Sequence, residues 1–227
     1  MTQAMSERRD RSGTDLVSSA ANEPSLKQAL DAVAVPGLLI GHRVISLGDE
    51  GALRGAEAAS ISSSIANVRR ASGAARMVAR SLLAQLGYPE AQVPMGAGGA
   101  PVWPVGVVGS LAHDDEIAVA AVGLRRDLAS VGIDVEWAGA LPSDMLALVA
   151  TQCERRRIED DLVKAKLLFA VKEAVYKAVY PLDRVFLEFG DIEVDLAGGT
   201  AMTRGGRTLT LRSCISSHIV ALAFVHA

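Results

Sequence analysis

Aromatic side chains make up only 4% of this 227-residue chain, so the apolar half of its composition is an Ala/Val/Leu core in which each aromatic is conspicuous. Cysteine is scarcer still. Cys153 and Cys214 lie far apart, in no CxxC or Cys/His spacing, so neither a disulfide framework nor a zinc site is indicated and a reducing cytoplasm is the expected location. No charge excess of either sign exists: 23 Lys and Arg face 26 Asp and Glu, for a net charge of −3. That balance argues against a chain built to coat nucleic-acid phosphates, and no nucleic-acid partner is expected. The first 23 residues lack the apolar stretch and small-residue cleavage site of a signal peptide, and residues 1–24 are expected to form a disordered tail. The longest uncharged run, Ala91 to His113, carries Pro94, Pro101, Pro104 and five glycines. It reads as a loop entering a strand, so no membrane association is expected.

What remains is the length and patterning of a globular protein, able to bury roughly 70% of its unfolded surface. Leu26 to Ile40 is mildly apolar and broken by Pro36, and Val44 to Leu47 is compatible with a short strand. Ile65 to Leu86 has Val68, Ala75, Val78, Leu82, Leu83 and Leu86 at helical spacing, with Arg69, Arg70, Arg76 and Arg80 among them and Gly87 and Pro89 after them. Three strands are expected over Val105–Leu111, Glu116–Leu124 and Val131–Trp137. A second long helical pattern runs from Thr151 to Val179, with Pro181 ending it, and Glu188–Leu196 and Thr208–Val225 read as strands. The fold class is therefore α+β: two similar halves, 25–127 and 128–227, each with a small antiparallel sheet and a long packed helix. No residue-level repeat links them, and the cleft between them is the expected active site.

Three segments carry chemistry. In Val131–Trp137, period-two alternation puts Ile133, Val135 and Trp137 on one face and Asp134 and Glu136 on the other, their Cα atoms roughly 6.6 Å apart. Two like charges on one strand face repel unless they are solvated or share a cation, and a hard divalent ion with oxygen ligands suits them. In Phe169–Lys177, Glu173 and Lys177 form an i,i+4 pair on the helix face opposite Leu168, Val171, Val175 and Val179. Such a pair is either a surface salt bridge of about 0.3–0.5 kcal/mol or part of a site. Lys172 projects about 100° away from Glu173, nearer the apolar stripe, as suits a cation reaching a buried anion. In the third segment, Pro101-Val102-Trp103-Pro104 precedes Gly109-Ser110-Leu111-Ala112-His113, a proline-fixed loop and strand end able to line a pocket for a planar or phosphorylated ligand. No Ser/His/Asp triad, P-loop or GxGxxG turn is present.

The order of these segments, from the arginine-bearing helix through Pro-x-Trp-Pro, Gly-Ser-Leu-Ala-His and Gly-Ile-Asp-Val-Glu to Phe-Ala-Val-Lys-Glu-Ala-Val-Tyr-Lys, resembles the 4'-phosphopantetheinyl transferases, most of all the group with the enterobactin-type enzymes. The likeness covers about Glu50 to Phe186. It implies a pseudo-twofold monomer that moves the phosphopantetheine arm of coenzyme A to a serine of an acyl or peptidyl carrier protein, releasing adenosine 3',5'-bisphosphate. It also implies that Asp134, Glu136 and Glu173 hold Mg²⁺, that Glu173 is the base, and that Lys177 stabilises the leaving phosphate. Arg69 or Arg70, Arg76, Trp103, His113, Lys172 and Lys177 are the implied coenzyme A contacts. With Mg²⁺ and a lysine beside it, the Glu173 carboxyl is expected to have a low pKa, which suits a water relay. Two positions depart from the family pattern: Ala112 replaces a Ser or Thr before the histidine, and Gly98 replaces a Lys or Arg. They motivate a second reading, a degenerate member that binds coenzyme A or carrier protein without turnover. A third is a Mg²⁺-dependent hydrolase of pyrophosphate-containing nucleotides.

Overall fold

The computed structural model describes residues 26–61 and 65–227, so the expected tail at residues 1–24 lies outside the described residues. After a helical segment over residues 26–32 (α1) come β1 (Leu38–Val44), α2 (Gly55–Ser60), α3 (Ala66–Gln85), β2 (Val107–His113), β3 (Ile117–Leu124) and β4 (Leu128–Trp137). They are followed by α4 (Leu146–Val149), α5 (Gln152–Ile158), α6 (Leu162–Asp183), β5 (Ile192–Asp195), β6 (Thr200–Thr203), β7 (Thr208–Ile215) and β8 (His218–His226). The strands form two antiparallel sheets, ordered β1-β3-β2 and β4-β8-β7-β6-β5. The topology repeats: in each sheet the first strand pairs with the last, and the long helix lies between them in sequence.

Strand alternation makes four layers from these elements. On β3, Ile117, Val119 and Ala121 face one side and Ala118, Ala120 and Val122 the other. The first set meets Val131, Ile133 and Val135 of β4 and Val220, Leu222 and Phe224 of β8 in a core between the sheets. The second set packs under Val78, Ala79, Leu82 and Leu83 of α3. On the far side, Ile219, Ala221 and Ala223 of β8 pack under Leu168, Val171 and Val175 of α6. The order is helix, sheet, sheet, helix. Small residues let these layers approach closely, most clearly at Gly132, where a Cβ would stand only 1.9 Å from the Ala174 carbonyl oxygen on α6. Two residues away, Ser130 Oγ donates to the Ala178 carbonyl at 2.6 Å.

Several boundaries differ from the sequence expectation. The first strand ends at Val44 instead of starting there, and Pro36 lies before it. The long pattern from Thr151 is two helices, because Glu159 and Asp160 both take positive φ (56° and 54°). Asp161 then caps α6, accepting the N–H groups of Val163 and Lys164. Pro181 does not end α6. It lies in the last turn, where its missing N–H interrupts little of the ladder, and the helix runs on to Asp183. A turn at Ser216-Ser217 divides the expected strand over Thr208–Val225 into the hairpin β7–β8, and β6 was not foreseen.

Candidate active site

The acidic face of β4 lies under α6, and the Gly132 contact sets how closely the two approach. Asp134 is 6% exposed, and its Oδ1 accepts from Lys177 Nζ at 2.6 Å. Lys177 also donates to the Ile133 carbonyl at 3.2 Å. The i,i+4 pair expected between Glu173 and Lys177 is therefore replaced by a bond across to the strand, because the Asp134 carboxylate is desolvated and closer in need of a cation. Glu136 takes a cation of its own, Lys166. Sequence reasoning did not single out Lys166, although its position seven residues before Glu173, two helical turns, places it on the same face of α6.

Asp134 Oδ2 is buried and has no hydrogen-bond partner. Burial, despite Lys177 and with the Glu136 and Glu173 charges adding to it, pushes the Asp134 carboxyl up to about 7. Glu173 is half-buried, and its carboxyl is raised as well, first by burial and then by Glu136, with Lys177 pulling it down. At Glu173 burial outweighs the lysine, whereas the low pKa expected there presumes a bound Mg²⁺ as well. Among the described residues, no three His, Cys, Asp or Glu side chains stand close enough as placed to hold a metal ion. Even so, the donor set fits a hard divalent cation. Three mutually repelling carboxylates on facing elements, one with an orphaned buried oxygen, are all-oxygen ligands short of positive charge.

His113, at the end of β2, reaches this group from the first half. It is exposed to solvent, yet the protein mass around it lowers its pKa, and the Lys177 and Arg76 cations lower it further against the opposing pull of Asp114. Solvent contact with desolvation is what a cleft wall produces. Arg76 is nearly buried, and its guanidinium donates to the carbonyls of Val93 (2.9 Å) and Ser72 (3.2 Å). Arg70 pairs with Glu50 at 3.0 Å, and Arg69 donates to the Ile61 carbonyl at 3.0 Å. Trp103 sits at the other end of β2, its indole over Gly109, and lines an open groove of about 660 Å³ with Tyr88, Gln92 and Pro104.

Lys172 stands apart from the cleft, which corrects its expected phosphate contact. Its side chain is 0% exposed, and its ammonium is committed to Glu154 Oε2 at 2.6 Å and the Phe189 carbonyl at 2.9 Å. It does reach a buried anion, but the anion is a protein carboxylate. The two departures from the family pattern also acquire a structural setting. Ala112 is buried in the core between the sheets, on the strand face opposite His113. At Gly98, with φ +68°, a Cβ would stand 2.4 Å from the Tyr180 hydroxyl of α6, so the place of a longer side chain is already filled.

A two-sheet α+β protein with carboxylates and lysines facing each other across one strand and one helix has the equipment for metal-assisted phosphoryl chemistry. Comparison with known proteins makes the class specific. Residues 56–123 match the 4'-phosphopantetheinyl transferase N-terminal domain, and residues 130–223 match the 4'-phosphopantetheinyl transferase superfamily. The chain is 41% identical over 150 residues to 4'-phosphopantetheinyl transferase Svp of Streptomyces mobaraensis, covering 59% of this chain and 61% of that protein. Identity to 4'-phosphopantetheinyl transferase Npt of Nocardia iowensis is 38% over 151 residues (64% and 68% covered). For 4'-phosphopantetheinyl transferase PptT of Mycobacterium tuberculosis it is 39% over 152 residues (63% and 67% covered). The chain thus spans about three fifths to two thirds of the length of these relatives, and it belongs to the 4'-phosphopantetheinyl transferase superfamily. No helix among the described residues is long and apolar enough to cross a membrane.

Proposed function

We propose that this chain transfers the 4'-phosphopantetheine moiety of coenzyme A to a serine of an acyl or peptidyl carrier protein. The observation that carries the reading is the Asp134, Glu136 and Glu173 set on facing elements, with Lys177 between them and His113 opposite. Asp134, Glu136 and Glu173 would hold Mg²⁺, which when bound supplies charge neutralisation at the pyrophosphate. The serine oxygen attacks the phosphorus that bears the pantetheine arm, and the phosphoanhydride bond to adenosine 3',5'-bisphosphate breaks.

Glu173 takes the serine proton. Its half-buried position leaves its carboxylate open to an incoming hydroxyl, directly or through a relaying water. Lys177 and His113 face each other's charge across the cleft, and Lys177, turned from Asp134 towards the leaving phosphate, neutralises the charge that builds there. Arg76 adds positive potential from behind His113, while Arg69 or Arg70 would need to exchange its protein partner for a phosphate. In this reading the chain acts as a monomer, and its active site is the cleft between the two halves that meet at about residue 127.

The test is incubation with coenzyme A, Mg²⁺ and an apo-carrier protein, read by mass spectrometry. A carrier heavier by one phosphopantetheine is expected. No transfer to any of several fatty-acid, polyketide and nonribosomal-peptide carriers, alongside measurable coenzyme A binding, would establish the non-transferring reading instead. Coenzyme A cleavage without a carrier would establish the hydrolase.

A further inference from the structure

The turn from β2 to β3 carries a polar contact that bridges the two halves. Asp114 follows His113 directly, and its Oδ1 accepts the N–H groups of Glu116 at 2.8 Å and Ile117 at 2.7 Å, fixing the turn. Its Oδ2 lies 3.2 Å from Nε2 of His218; both atoms are shielded from solvent, within ion-pair distance of each other but outside hydrogen-bond geometry. His218 opens β8 and is 2% exposed. Its Nδ1 is 3.0 Å from Ser217 Oγ, and the Trp137 ring meets it edge-on at 5.2 Å. His218 pairs in register with Trp137, and Ala221 on the same strand pairs with Asp134. One side of the contact is therefore built into the strand pair that carries Asp134 and Glu136, and the other is one residue from His113.

The core between the sheets is otherwise largely Ala, Val, Leu, Ile and Phe. Such packing is non-directional and resists sliding only through shape. A buried carboxylate and imidazole add little net stability over an apolar pair of the same size, but they have one favourable arrangement. Burial alone would raise the Asp114 carboxyl, yet the imidazole and the two backbone N–H groups outweigh it and hold the group below the usual range. The contact thus favours one relative placement of the two cleft walls.

We propose that Asp114 and His218 are positioning residues that fix His113 on one wall against Asp134, Glu136 and Lys177 on the other, and thereby set affinity for the phosphate groups of coenzyme A. The substrate part of this inference rests on the function proposed above. The test uses His218→Gln and Asp114→Asn, each alone and in a His113→Ala background. Two readouts apply: the ring resonances of His113 in the ligand-free protein by NMR, and the dissociation constant of coenzyme A by calorimetry.

In His218→Gln the His113 resonances are expected to shift and broaden, and coenzyme A to bind about tenfold more weakly, the loss of one charge-assisted contact. In the His113→Ala background the same substitution should cost no further affinity. Unchanged His113 resonances, or an affinity loss of equal size with and without His113, would overturn the inference. Asp114→Asn keeps an oxygen for the turn and decides the matter by the same two readouts if His218→Gln does not fold. If the unsubstituted protein does not bind coenzyme A, the proposed function fails, and the His113 resonances alone decide the positioning role.

Discussion

Gly132→Ala tests the idea that the distance from strand to helix makes the site. A Cβ at residue 132 would stand 1.9 Å from the Ala174 carbonyl oxygen and 2.7 Å from the Ala178 nitrogen. Both are backbone atoms of α6, so no side chain can rotate away. To reach ordinary contact at 3.4 Å, helix and strand must separate locally by about 1.5 Å. Overpacking of this kind costs about 1–3 kcal/mol, and at about 2–4 °C per kcal/mol for a chain of this size the melting temperature should fall by roughly 2–12 °C. The protein should still fold, because the apolar core beneath α6 is extensive. The catalytic cost should be larger in proportion. Glu173 and Lys177 flank Ala174 and Ala178 on α6, so they move with it, away from Asp134 on β4. A misplacement of about 1 Å in a reacting group can cost on the order of 100-fold in rate. The assay is transfer to apo-carrier under saturating coenzyme A and Mg²⁺, beside a melting curve of the same preparation. Gly190→Ala is the control, since a Cβ there meets nothing within 4 Å. A folded Gly132→Ala protein with kcat within roughly threefold of the parent would refute the argument, because the site would then tolerate separation of its two walls.

Glu173→Gln should leave the melting temperature nearly unchanged and lower kcat by at least about 100-fold, as expected for removal of a general base; retention of activity would assign the proton transfer elsewhere. Mg²⁺ should raise the melting temperature of the free protein by relieving the repulsion among Asp134, Glu136 and Glu173, and Asp134→Asn should remove that rise; transfer that persists after chelation would count against the metal. Lys172→Met should destabilise the fold by about 3–5 kcal/mol in urea unfolding, since it strands the Glu154 carboxylate in the core, and adding Glu154→Gln should recover part of the loss. A Lys172→Met protein of normal stability but weak coenzyme A binding would restore Lys172 as a phosphate contact. At Asp49, burial alone would raise the carboxyl, but the Arg43 guanidinium and the Ser46 N–H lower it below its ordinary 3.8. A depressed folded-state pKa stabilises above 3.8 and loses that contribution as pH falls through the folded value. Melting curves taken from about pH 5 downward should therefore fall more steeply for the parent than for Asp49→Asn.

Local periodicity carried much of this architecture, and contacts across the fold carried the remainder. The alternation in Val131–Trp137 set Ile133 and Val135 against Asp134 and Glu136 before any strand was paired, and the apolar spacing of α3 fixed that helix to within a residue at each end. The break at Glu159 and Asp160 was not legible, because neither residue is a glycine or proline and only the capping of α6 by Asp161 makes the positive φ values worthwhile. Within the site, the carboxylates could be read from their types and their spacing. Their partners could not, because Lys177 bonds across to β4 and Lys166 answers Glu136 over 30 residues, distances that no helical rule spans. Gly132 was visible as a letter in a motif, but its purpose, admitting the α6 backbone, depends on a neighbour more than 40 positions away.

The same limit hid a repeat. Glu57 in α2 and Glu154 in α5 each sit at the third residue of a short helix preceding a long one. Glu57 Oε2 accepts the Arg54 N–H at 3.0 Å and the Arg80 guanidinium from α3, while Oε1 accepts the Val93 N–H at 3.0 Å. Glu154 Oε2 accepts the Thr151 N–H at 2.8 Å and the Lys172 ammonium from α6, while Oε1 accepts the Val194 N–H at 2.8 Å. Each oxygen does the same work in both halves: one ties the short helix to a cation on the long helix, and the other ties it to an extended segment beyond that helix. A carboxylate this deeply buried is tolerable only when every one of these partners is present, so the three contacts must be kept together or lost together. The cation may change between Arg and Lys and the cap between Arg and Thr without disturbing that requirement. Identity along the chain therefore fades while the wiring persists, and Lys172 is better understood as the counterpart of Arg80, holding α6 in place, than as a hand extended to the substrate.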